Sequence, residues 1–252
     1  MFNIFGKKKD KQEEVSNRNN LEVAKLKLKD YKRVTYKPIT NNKFTSFESS
    51  KLGGLPYIPE SQEWPSCQTC NEPLQFFVQL NSADLPEEAN KPFGEGVLQM
   101  FYCLNHDKCE NGDDWEPFSN GHLLRILYPM KELALPLDTA LTKEPFTEKT
   151  ITDWKVLEEY PHYEEHPEGI ELSEAEALCD NLLHSGEKLL GWPSWVQGEE
   201  YPTCPKCSEK MNFIFQIDSE DNLNYMFGDV GCGHITQCGD HPEVIAFSWA
   251  CC

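Results

Sequence analysis

The pattern Cys-x-x-Cys occurs twice, at Cys67–Cys70 and at Cys204–Cys207. Each copy is followed further along by a cysteine with a histidine three residues on, Cys103 with His106 and Cys238 with His241. A zinc ion takes four soft or borderline ligands in a tetrahedron, and two tight turns supply them economically. No other feature restricts the fold as much. The two copies belong to a longer repeat: Gly54 to Ser82 overlies Gly191 to Ser219 without a gap at an offset of 137. Ten of these 29 positions are identical, among them Gly54/Gly191, Pro56/Pro193, Glu63/Glu200, Pro65/Pro202, Phe76/Phe213 and Gln79/Gln216, where unrelated segments give about two. After a loop of different length the register resumes at an offset of 135, pairing Gly96 with Gly231, Cys103 with Cys238 and His106 with His241.

Leu74 to Leu80, Val97 to Cys103 and His122 to Tyr128 are short, rich in β-formers and bounded by Gly, Pro or Asn, which predicts strands. Their counterparts are Met211 to Ile217, Cys232 to Cys238 and Val244 to Trp249. If the first two strands of each set pair antiparallel, the start of one lies beside the end of the other and the cysteine turns converge. The second site is then Cys204, Cys207, Cys238 and His241. At the first site Cys67, Cys70 and Cys103 have two candidates for the fourth position. The repeat register favours His106, while thiolate affinity and a wider loop favour Cys109, the preferred ligand with His106 beside the site. Protein fills all four positions, so no coordination place is left for a catalytic water and the zinc is expected to be structural. A thioredoxin-type redox pair would open a helix after a strand, whereas both copies here precede strands. Binding of this kind supplies on the order of 10 kcal/mol or more to a small fold. Cys179, Cys232, Cys251 and Cys252 lie outside the pattern, and His122, His162, His166 and His184 receive no role.

Eleven cysteines, an odd number, with no apolar leader, point to a reducing compartment and thiolates on metal. No run approaches the roughly 18 to 20 apolar residues of a membrane span, so stable membrane insertion is not expected and the cytoplasm is the expected location. The charge is uneven: residues 1–33 carry about +5 of a total of −19, leaving −24 on the rest. An acidic body repels phosphates, which argues against nucleic acid and for a basic protein as partner.

These features predict an α+β, β-rich, internally duplicated fold with two antiparallel β repeats, each with a zinc knuckle. Residues 1–33 are expected as a charged tail (1–16) and an N-terminal helix (20–33), residues 34–150 as the first repeat and 151–252 as the second, with 34–252 forming one compact unit. Residues 131–168, rich in Pro, Glu and Thr, are expected as the connection. Ser173 with Glu176 forms a capping box ahead of Ala177, Leu178, Leu182 and Leu183, and Gly186 offers the stop.

The segment Phe227-Gly-Asp-Val-Gly231, the terminal Phe-Ser-Trp-Ala-Cys-Cys, and the segments Lys51 to Pro56, Phe76 to Leu80, Leu190 to Pro193 and Phe213 to Asp218 resemble the bacterial YwqG-like family, a domain of unknown function. The resemblance spans roughly residues 50 to 252. It implies a β-rich, duplicated α+β fold and supplies no activity. Many members of that family lack the cysteines, so this chain looks like a zinc-bearing branch, and the zinc is expected from its own cysteines and not from the family as a whole. Gly53-Gly-Leu-Pro56, Cys67-x-x-Cys70, Leu74 to Leu80 and Phe101 to Cys109 are also similar, over short motifs only, to the programmed-cell-death protein two family. That likeness implies escort of a newly made, strongly basic ribosomal protein.

The leading expectation is an intracellular zinc-binding protein-interaction module, a chaperone for a basic client, rather than an enzyme. Trp192 and Trp195 are candidate exposed contacts, with core packing as the alternative. A protein that neutralises a toxin would also be acidic. A hydrolase would draw on Asp218, Asp229 and Glu243, but Asp and Gly are ordinary turn formers and no nucleophile, base and orienting group share a motif.

Overall fold

The computed structural model describes residues 4–105, 109, 114–128, 145–161, 165, 168–177, 182–219 and 221–252, with side chains left out for 4–15 and 175. Among these residues ten strands join into one antiparallel sheet: β1 (Arg33–Asn41), β2 (Lys51–Leu52), β3 (Gln75–Asn81), β4 (Val97–Tyr102), β5 (His122–Leu127), β6 (Lys149–Glu159), β7 (Lys188–Leu189), β8 (Asn212–Asp218), β9 (Cys232–Gln237) and β10 (Ile245–Ala250). Their order across the sheet is β10-β9-β8-β7-β1-β6-β2-β3-β4-β5. Two runs in sequence order, β2 to β5 and β7 to β10, flank a central pair whose members sit opposite to expectation. β1 lies against β7, and β6 lies against β2.

The six strands expected from the sequence coincide with β3, β4, β5, β8, β9 and β10 to within one or two residues. The eleven-residue β6 corrects the reading of 131–168 as a connection. Its charged residues conceal a half-buried strand in which Thr150, Ile151 and Glu159 are inside, and the partner strand β1 supplies the pairing that local composition does not announce. The N-terminal segment also differs. Helix α1 (Ile4–Lys27) extends over most of the expected tail, and the expected helix to residue 33 gives way to a 3₁₀ turn at Lys29–Tyr31 before β1. Ala24 and Leu28 of this segment are buried against Tyr160 and Leu182. Trp192 then draws the chain away from helix: its Nε1 donates to Tyr31 O at 3.0 Å, and the Arg33 guanidinium stacks 3.3 Å from its ring centroid.

The core draws on both runs. Phe77 and Tyr102 from the first meet Tyr225, Phe227 and Phe247 from the second, with ring centroids 4.9 to 6.1 Å apart. Edge-to-face contacts of this kind add about 0.5–1.5 kcal/mol each beyond their burial. The sheet curls until its outer strands approach, giving a nearly closed barrel-like form. At this seam His122 lies against Phe247 at 5.6 Å and Trp249 Nε1 donates to Tyr102 Oη at 3.0 Å.

Each short strand carries a buried lysine. Lys51 pairs with Glu148 at 3.2 Å and Lys188 with Glu159 at 2.8 Å, and both lysine side chains are wholly buried. These lysines stand 137 residues apart, the offset at which Gly54 overlies Gly191. The repeated glycines now have a reason. Gly54 and Gly191 have φ of +71° and +87°, and a Cβ at either would run into the carboxylate of Glu148 or Glu159.

The capping box forms at α2 (Glu174–Ala177): Ser173 N donates to Glu176 Oε2 at 2.8 Å and Glu176 N to Ser173 Oγ at 3.4 Å, but Leu182, Leu183 and Gly186 lie outside helix, which corrects the expected stop at Gly186. Leu178, His162, His166 and Cys179 lie outside the described residues. Among the described residues, no helix is long and apolar enough to cross a membrane.

Candidate metal centres

Both Cys-x-x-Cys turns have the same backbone. Cys67 N donates to Glu72 O and Asn71 N to Cys67 O; correspondingly Cys204 N donates to Glu209 O and Ser208 N to Cys204 O, all at 2.8 to 2.9 Å. Asn71 and Ser208 close the turns with φ of 60° and 63°, a left-handed conformation that Asn adopts readily. Bridges Ser66↔Pro73 and Thr203↔Lys210 lock the two feet together. From each turn the chain enters β3 or β8, which pairs with β4 or β9 through a register shift at the same place, Phe76/Val78 and Phe213/Phe215. The antiparallel pairing brings Cys103 and Cys238, just beyond β4 and β9, back to the turns.

Two groups result: Cys67, Cys70, Cys103 and Cys109; and Cys204, Cys207, Cys238 and His241. Within each, all ligand atoms lie within 4.8 Å of one another. Sulfur separations are 3.6 Å for Cys67–Cys109, 3.8 Å for Cys70–Cys103 and 3.6 Å for Cys207–Cys238. His241 Nδ1 lies 3.8 Å from Cys204 Sγ and 3.7 Å from Cys238 Sγ. A tetrahedral ion with metal–sulfur bonds of about 2.3 Å requires sulfurs about 3.8 Å apart, whereas a disulfide requires about 2.05 Å. The donor sets therefore fit a metal ion, and all eight positions come from the chain. Cys109 is in place at the first group; His106 lies outside the described residues.

The surroundings differ. Trp64, Leu74, Phe76 and Phe101 enclose the first group, with Trp64 Nε1 donating to Leu74 O at 2.8 Å. Met211, Val244 and Ala246 enclose the second. Burial raises the Cys103 thiol and raises Cys109 to about 11. At Cys204 burial also acts upward, but the backbone N–H groups of Lys206 and Cys207 and the neighbouring thiols outweigh it and bring the group down to about 7. Asn105 Nδ2 reaches Cys70 Sγ at 3.9 Å and Lys206 N reaches Cys204 Sγ at 3.4 Å. These outer contacts escaped the sequence reading, although both residues stand within the ligand loops.

Trp192 and Trp195 are 8% and 5% exposed, which decides between the two readings of them in favour of core packing. Trp195 sits against Tyr201 and His234 at 4.8 and 4.6 Å, beneath a sheet face that sequence periodicity alone does not reveal. The acids weighed for hydrolysis do not form a common group with ligand atoms in mutual reach among the described residues. Asp218 accepts from Gly186 N at 2.7 Å and Glu243 pairs with Lys206.

A 34-residue stretch is 50% identical to the uncharacterized protein YpfL of Salmonella typhimurium (strain LT2), covering 14% of this chain and 8% of that protein. The match thus spans a small fraction of that relative's length, and its name carries no activity. Residues 50–237, which include both metal-ligand groups except His241 and Cys238, match the domain of unknown function DUF1963, and over that extent the chain belongs to the DUF1963 family.

Proposed function

We propose that the chain is an intracellular protein-interaction module held in shape by two structural zinc ions, and that it binds a basic protein in the manner of a dedicated chaperone. The observation that carries the reading is the completeness of the ligand sets: four protein donors converge at each group with separations suited to a tetrahedral ion. A filled tetrahedron fastens turns and has no open position for a water nucleophile. Thiolate-rich sets favour zinc among common cytoplasmic cations. The acidic body, with −19 overall, favours a basic partner. The matched backbones of the two turns and the lysines of β2 and β7 support a duplicated ancestry; the placing in a YwqG-like, zinc-bearing branch rests on the sequence segments and the cysteines.

Elemental analysis of the purified chain tests the metal. Two zinc ions per chain are expected, and one in each of Cys67→Ser and Cys204→Ser; a metal-free protein equally stable in strong chelator would refute the proposal. The partner is tested by affinity capture from lysate at low salt, where failure to recover a basic protein in stoichiometric amount removes the chaperone reading but leaves the zinc.

A further inference from the structure

The two strand runs differ in how their outer faces satisfy buried polar groups. In the first, Gln79, Gln99 and Arg125 are neighbours across β3, β4 and β5. Gln99 Nε2 donates to Tyr57 O at 2.6 Å and to Gln79 Oε1 at 2.7 Å, and Arg125 Nε donates to Gln99 Oε1 at 2.9 Å. The corresponding row in the second run is Gln216, His234 and Ser248. Thr236 occupies the register position of Phe101, and Ala246 that of Leu123. His234 and Ser248 are 1% and 6% exposed, yet among the described residues neither His234 nitrogen, nor Ser248 Oγ, nor Thr236 Oγ1 has a hydrogen-bond partner. Each such group costs about 1–3 kcal/mol. The first run satisfies the same row internally, so the two halves of the sheet differ here, and of these residues Ser248 alone reaches a cleft.

Ser248 lines a cleft of about 640 Å³ at the seam of the sheet, within the ~300–1,000 Å³ range of ligand pockets. Trp115, Tyr201 and Trp249 supply its aromatic walls, and its charged lining residues are Glu116 and Glu200, with no lysine or arginine. Trp115 is 44% exposed. The walls come from the two ligand loops. Trp115 stands six residues after Cys109, and Tyr201 three residues before Cys204; Met211 N donates to Pro202 O, tying the second wall to its knuckle. On the other side Trp249 N donates to Trp115 O at 3.2 Å, which fixes the first wall to β10.

We propose that this cleft binds arginine or lysine side chains of an extended basic peptide, held against Trp115 and Trp249, with Glu116 and Glu200 as counter-charges; Tyr201 closes the far wall, its ring already covered by Lys210 at 4.2 Å. The proposal deepens the reading of a basic partner and rests on it for the identity of the ligand. Aromatic faces attract cations, and buried aromatic anchors flanked by charge are the usual centres of peptide interfaces. The acidic lining excludes phosphate-bearing ligands.

The test uses the full-length, metal-loaded chain and a fluorescein-labelled twelve-residue peptide of alternating Arg and Gly, with a twin in which Gln replaces every Arg. Fluorescence anisotropy should give binding of the Arg peptide and at least tenfold weaker binding of the twin. Trp115→Ala should weaken the Arg peptide tenfold or more, Glu116→Gln severalfold, and Glu171→Gln, beside Lys27 of α1 and outside the cleft lining, not at all. Equal binding of the twin, parent-like binding by Trp115→Ala, or an equal loss in Glu171→Gln would overturn the proposal, the last pointing to a diffuse acidic surface. Lysate capture separates the two readings. Basic protein recovered equally by parent and Trp115→Ala sinks the cleft and spares the chaperone reading. Trp115-dependent peptide binding without any captured protein does the reverse.

Discussion

Acid should destabilise this protein through His234, and the size of the effect follows from its position. Burial in the outer layer of the sheet, reinforced by the positive charge of Lys188, lowers this imidazole from 6.5 to about 3. In the unfolded chain the ring takes a proton near pH 6.5; in the folded chain it stays neutral until near pH 3. Between those values the unfolded state binds more protons, so stability falls as pH falls. At pH 5 the loss is about 1.5 pH units at 1.36 kcal/mol each, or about 2 kcal/mol. His122, lowered by burial to about 4, adds about as much by the same reasoning. Replacing His234 by Gln, the residue at the matching position Gln99, removes its share. Urea unfolding at pH 7 and pH 5 should show the acid-induced loss smaller by about 2 kcal/mol in His234→Gln than in the parent. An unchanged loss would mean that the ring already carries its proton in the folded state, contradicting its burial.

Lys188→Met leaves the Glu159 carboxylate buried without a counter-charge and should cost about 3–5 kcal/mol in urea unfolding, with part recovered by adding Glu159→Gln; a loss below 1 kcal/mol would refute the buried pair. Gly191→Ala forces a Cβ against Glu159 at φ of +87° and should lower the melting temperature markedly, whereas Gly169→Ala, strained by the same left-handed backbone at φ of +84° but with open space around it, should lower it less. Phe77→Ala, at the centre of the aromatic cluster, should cost about 3–5 kcal/mol. Ser173→Ala removes a partner of the capping box and should cost about 1 kcal/mol.

Much of each metal group was legible because its signals are local. Cys67–Cys70 and Cys204–Cys207 define their turns by covalent spacing, and the strands that follow show apolar runs bounded by breakers. The repeat then indicated where Cys103 and Cys238 return. The candidate cleft left no such trace: Trp115 is one aromatic residue among many until the barrel seam brings it beside Tyr201 and Trp249. Trp192 and Trp195 were equally ambiguous, since the covering segment and the sheet face beneath them lie far apart in sequence.

What the amino-acid order determines by itself is therefore the chemistry of the clasps and the strands they join, both products of spacing and side-chain type over a few residues. The exchange of β1 and β6 between the two runs, the carboxylate that meets each buried lysine, and the unpaired row of His234 and Ser248 belong to the tertiary structure alone. The strand exchange pairs segments more than a hundred residues apart and the lysine pairs join residues 97 and 29 apart, and the free energy that selects such pairings comes from burying surfaces that exist only once the sheet has closed.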